Sequence, residues 1–173
     1  MKNILSLIII ALICFTGITY SQTPKPSNRI NYDDLFLVYK QTHIKVAAIN
    51  PKNIVSLLGK PFQIKTEQSK MSNAMITTYY YHYFGEVYFE KDQLTGIDIR
   101  NKAWAFIFKI NNKMSLPYTM GSDITPLKTL FPQSWANRHD NLMHVFIGNS
   151  DTSVVFEIKG DRIINLNLFS DES

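Results

Sequence analysis

Four histidines, His43, His82, His139 and His144, are the side chains of this chain that titrate nearest neutral pH. His139 and Asp140 stand close in sequence to His144, which brings two imidazoles and a carboxylate together on paper. A loop residue followed by a strand residue fixes no coordination geometry, so no metal site is expected there. Asp92 and Asp161 recur at matching places and suggest paired acids. Each falls in a hairpin turn, where Asp is favoured for backbone reasons alone. The chain carries no glycine-rich phosphate loop, no nucleophile elbow, no pair of histidines one helical turn apart and no calcium loop. No catalytic residue and no cofactor is therefore expected.

Tyrosine spacing offers a different chemistry. Tyr79, Tyr81 and Tyr83 alternate, and alternation in a strand sends side chains to one face. A tyrosine ring brings large area, few rotors to freeze and a polar tip, which suits a binding surface. Setting Gly85 against Gly148 groups Tyr80, His82 and Phe84 with Met143, Val145 and Ile147 as core. Tyr79, Tyr81, Tyr83, Tyr88, His144 and Phe146 are then expected on an open face. Trp104, Phe106, Phe108 and Ile110 alternate as a core set, and Tyr118 and Trp135 are expected to pack beside a helix.

The elements that must hold these residues are read from an internal echo. Val87 to Ile99 aligns without a gap on Phe156 to Leu168, with apolar residues at matching positions and an Asp in the turn of both. Upstream, Ile54 to Pro61 has a counterpart in Leu127 to Pro132. A helix-then-hairpin unit written twice predicts an α+β fold. Two helix-then-antiparallel-strand repeats, over about residues 35–100 and 103–169, share one antiparallel sheet, with short helices on one face. Val87, Phe89, Ile97 and Ile99, with Phe156, Ile158, Leu166 and Leu168, should point at the helices. Residues 62–72 and 133–141 read as polar connections.

At the N-terminus, Lys2 precedes an apolar run from Ile4 to Ile18, and Thr19-Tyr20-Ser21 supplies small residues before Gln22. The pattern predicts a signal peptide over residues 1–21, a flexible tether over 22–30 and one domain over 31–173. Cys14, the one cysteine, falls within that run, so no disulfide is expected in the exported chain. The formal net charge of +4 is mild and its lysines and arginines are scattered, which argues against a nucleic-acid partner. No later segment is apolar for long enough to span a membrane.

The duplicated unit, with Leu57-Leu58-Gly59-Lys60-Pro61 ending the first helix, resembles the β-lactamase-inhibitor-like fold. It is also similar to the single-unit version in small outer-membrane assembly lipoproteins. The resemblance runs from about Ile49 to Phe169 and implies a sheet that presents one face to a protein partner. Those inhibitors carry disulfides and those lipoproteins a lipidated cysteine, and neither is found here. Inhibition of a β-lactamase is not implied. The sequence thus leads to an exported, periplasmic or extracellular, non-catalytic domain that binds a protein. A small secreted hydrolase using His82, His139 or His144, and a structural envelope protein, are the alternatives.

Overall fold

The computed structural model describes residues 27–69 and 73–170; the leader expected over 1–21 lies outside them. Its centre is a pair of hairpins, each built from strict apolar alternation. Strand β6 (Gly85–Glu90) pairs with β7 (Gln93–Ile99), and β11 (Thr152–Lys159) pairs with β12 (Arg162–Ser170). In both hairpins the register skips one residue, at Thr95 and at Ile164, so each carries a β-bulge at the same aligned place. Lys91 and Gly160 take the same left-handed turn position, with φ of 53° and 60°. Then β7 pairs antiparallel with β12, with Ile97 opposite Leu168, Asp98 opposite Asn167 and Ile99 opposite Leu166. The two hairpins are thus related by a local two-fold axis through the Asp98–Asn167 pair.

Outward from this centre, β6 is followed by β5 (Met75–Tyr81) and β4 (Gln63–Gln68). On the other side β11 is followed by β10 (Leu142–Ile147) and by the short β1 (Arg29–Ile30), which runs parallel to it. The result is an eight-stranded sheet. A second, four-stranded sheet is formed by β2 (Leu35–Tyr39), β3 (Thr42–Lys45), β8 (Trp104–Ile110) and β9 (Lys113–Met114), in the order β3-β2-β8-β9. Leu35 and Leu37 of β2 and Phe106 and Phe108 of β8 are fully buried and join one core with Val87, Phe89, Ile97, Ile99, Phe156, Leu166 and Leu168. The ring of Phe108 meets that of Phe156 at 6.1 Å, across the two layers.

The expected α+β class is therefore corrected. The chain is mostly strand, in two sheets, with three short helices among the described residues: α1 (Ile54–Leu58), α2 (Thr125–Leu130) and α3 (Pro132–Ala136). A helix-then-strand repeat on a single sheet is not what forms. The physical reason is reach, because α1 has five residues and α2 six. At about 1.5 Å per residue neither covers more than two or three strand widths. The apolar face of the large sheet is closed by β2 and β8 instead. Residues of the expected connection 62–72 form β4, and Pro132, expected to stop a helix, instead begins α3 (Pro132–Ala136), which runs into the expected loop 133–141.

The end of the expected tether is docked. Asn28 Oδ1 accepts from the backbone N–H groups of Gln133 and Ser134, both at 2.9 Å, and so caps α3 from far along the chain. Among the described residues, no helix is long and apolar enough to cross a membrane.

Candidate binding face

The small sheet covers one face of the large sheet, and alternation decides what the other face presents. Glu86 and Tyr88 alternate with buried Val87 and Phe89, Asp98 with Ile97 and Ile99, and Asn167 with Leu166 and Leu168. Glu86 stands directly opposite Asp98. Two like charges in a cross-strand pair repel, and Arg100, just beyond β7, bridges them. Its Nη2 lies 2.7 Å from Glu86 Oε1, and its Nε donates to Asp98 Oδ2 at 2.7 Å. The Tyr88 hydroxyl donates to Glu86 Oε2. Asn167, with its amide turned to satisfy its neighbours, donates to Asp98 Oδ1 at 2.8 Å.

All four carboxylate oxygens thus have a donor, and the Glu86 and Asp98 side chains are only 12% and 21% exposed. Burial, and then the hydrogen bond to Glu86, raises the Tyr88 pKa well above its ordinary value, so the phenol remains a donor at neutral pH. The Asp98 hydrogen bond, ahead of other charges, strengthens the hold of the Arg100 guanidinium on its proton. Such a saturated network is poorly suited to taking up a proton during a reaction. It is well suited to presenting a rigid charged surface. Gly96 makes room for it: a Cβ there would lie 3.0 Å from Tyr88 Cδ2, so the tyrosine ring rests over the bare backbone. Arg100 also borders an open cleft of about 540 Å³ shared with Lys102, Arg162 and Ile164.

Beside this centre lies an aromatic group. Tyr80 is the cross-strand partner of Glu86, so it shares the open face. The Phe62 ring stacks on His82 with centroids 4.0 Å apart and planes 14° apart, and lies 6.1 Å from Tyr80. Tyr83 approaches His82 at 6.4 Å. Phe62 is 54% exposed and Tyr83 82% exposed. Two backbone contacts hold them in place: Phe62 N–H donates to Tyr80 O at 2.9 Å, and Trp104 Nε1, from the core, donates to Tyr83 O at 3.0 Å.

The residues expected on this face divide into three groups. Tyr83 and Tyr88 belong to it. Tyr79 and Tyr81 do not, because Tyr79 pairs with Val87 and Tyr81 with Gly85, which sends both toward the core. Tyr79 sits edge-on to Phe89 at 5.5 Å. Tyr81 is 7% exposed and its hydroxyl has no hydrogen-bond partner; burial pushes its pKa up to about 12. The expected parity ran back from Phe84 through the turn, yet β5 ends at Tyr81 and the turn residues break the alternation. His144 and Phe146 do reach the open face, but on β10, four strands from β6 and so about 19 Å away. There His144 Nδ1 lies 3.1 Å from Ser153 Oγ, and the Arg29 guanidinium sits 5.1 Å from the centre of the Phe146 ring.

Sequence reading missed Phe62, Tyr80, His82, Glu86 and Arg100. The signal that finds Glu86 is its position one residue before the buried Val87 in the same strand that presents Tyr88. His82, His139 and His144 are not gathered: His82 stacks on Phe62, and exposed His139 pairs with Asp140 at 3.0 Å. Among the described residues, no group of three His, Cys, Asp or Glu side chains is placed to hold a metal ion. No family model, curated protein or solved structure matches the chain.

Proposed function

We propose that this is an exported binding domain that takes a protein partner on the open face of the large sheet. The contact surface in this reading is Phe62, Tyr80, His82, Tyr83 and Tyr88, with Arg100, Glu86 and Asp98 at its centre. The observation that carries it is the exposed aromatic group, in which Phe62 stacks on His82 and Tyr83 meets it edge-on while both stay largely in solvent. Exposed aromatic rings set against an immobilised charged centre are the composition that concentrates binding energy at interfaces. The backbone that carries these rings needs little ordering, since Tyr80 lies on a strand and Trp104 holds the Tyr83 carbonyl.

Export enters this reading through the leader pattern of residues 1–21, and the partner is accordingly a protein outside the cytoplasm. A photo-crosslinking residue placed at Tyr83 in the native host should trap one discrete protein. The same residue at exposed Lys159, distant along β11, should not. Equal trapping at both positions, or none at Tyr83, removes the reading.

A further inference from the structure

Strand β4 is the last strand of the large sheet, and all six of its residues are exposed. Ser69 N–H donates to Ala74 O at 2.7 Å, which sets the phase of the β4–β5 ladder. Hydrogen-bonding direction alternates along a strand. The backbone groups of Lys65 and Glu67 therefore turn toward β5, and those of Ile64, Thr66 and Gln68 point outward along an edge that pairs with no other strand among the described residues. Such an edge is a template for another strand.

We propose that this edge pairs with β4 of a second copy of the chain, antiparallel across a two-fold axis at Thr66. This inference is independent of the open-face reading, because it uses the edge of the sheet and not its face. The register follows from charge. With Thr66 opposite Thr66 of the second copy, the outward groups of Ile64 and Gln68 bond across the axis. Lys65 then faces Glu67 of the second copy, and Glu67 faces its Lys65. A two-residue slip one way opposes Lys65 to Lys65, and the other way Glu67 to Glu67. Like charges directly opposite are destabilising. Self-pairing through β4 thus has one register in which every charge meets its opposite, as an isologous contact requires.

The inner side of the edge fits as well. Thr66 Oγ1 lies 3.0 Å from Thr77 Oγ1, so pairing extends a row of threonines from Thr77 through both copies of Thr66. Gln68 pairs with Met75, which places Ile64 of one copy in the same row as Met75 of the other. Both are large apolar side chains left more than half exposed in the single chain.

Sedimentation equilibrium of the purified protein over concentrations up to about 1 mM tests this, a range that reads dissociation constants of interest for an edge contact. The wild type should self-associate, and Lys65→Glu or Glu67→Lys alone should weaken that about tenfold through two repulsive pairs. The double swap K65E/E67K should return to within about threefold of wild type, since it restores both pairs with signs reversed. Thr66→Pro should abolish association with an unchanged circular dichroism spectrum, because the N–H it removes points away from β5. A wild type that stays monomeric throughout, a double swap that fails to rescue, or association indifferent to Thr66→Pro would overturn the proposal.

Discussion

The two central hairpins share a frame and differ in what they carry. Both have the bulge at the same aligned residue, the same left-handed turn and the same buried quartet. On the open face the first presents Glu86 opposite Asp98 with Arg100 and Tyr88 around them. The second presents Val155 opposite Asn167, with Phe169 and Glu157 at the matching places. The frame therefore forms without the ionic cluster, and the cluster is a property added to one half. That asymmetry supports, beside the aromatic group, the proposal that a partner sits over the first hairpin and not the second.

The sharpest way to break the comparison is at the glycines. Gly85 has φ +142°, and a Cβ there would lie 1.8 Å from the Asp98 carbonyl oxygen. Gly85→Ala should cost at least about 3 kcal/mol in denaturant melts, because backbone must move to admit it. Gly160→Ala, at φ +60° with open space around it, should cost about 1 kcal/mol. Equal costs would mean that the first hairpin is not held at Gly85 by the close approach of β7.

Next in size is the charge bridge. Arg100→Met leaves Glu86 opposite Asp98 with no cation, and should lower stability by about 2 kcal/mol. Giving the first half the residues of the second, with Glu86→Val, Asp98→Asn and Arg100→Phe together, should stay within about 1 kcal/mol of wild type. Chemical denaturation of both variants separates the two outcomes. A triple variant as unstable as the single one would show that the cluster is part of the frame after all.

Smaller is the effect expected at Tyr81, whose buried hydroxyl lacks a partner. Tyr81→Phe should raise stability by about 1 kcal/mol by removing an unsatisfied polar atom. A loss of stability on thermal unfolding would show that the hydroxyl is bonded in solution. The least effect is at His144, where burial lowers the imidazole pKa. Between its folded and unfolded pKa values the unfolded chain binds more protons, so stability falls as pH drops below about 6.5. His144→Gln should flatten that acid slope in urea titrations. An unchanged slope would assign it to other groups.

The apolar quartets of both hairpins were readable because a half-buried strand must alternate, and Val87, Phe89, Ile97 and Ile99 do so without interruption. Strand β4 was not, since Gln63–Gln68 is exposed on both faces and has no apolar period to show. The second sheet was hidden for another reason. Its strand β8 was visible in the alternation of Trp104, Phe106, Phe108 and Ile110, but its pairing joins Leu35 to Phe108 across a long stretch of chain. Local pattern carries no information about such a partner. The parity of β5 failed on one turn: Phe84 is buried from the loop, and its phase does not extend back to Tyr81. The ionic cluster was readable only in part, since Asp98 and Tyr88 follow from alternation whereas Arg100 lies beyond the strand end.

One comparison tests the assignment of binding to the first half most directly. The trapped partner's affinity would be measured for Phe62→Ser with Tyr83→Ser, and separately for His144→Ser with Phe146→Ser, at equal folded fraction. The first pair should weaken binding at least about tenfold and the second less than about threefold. Equal losses from both pairs, or a loss confined to the second, would contradict the account.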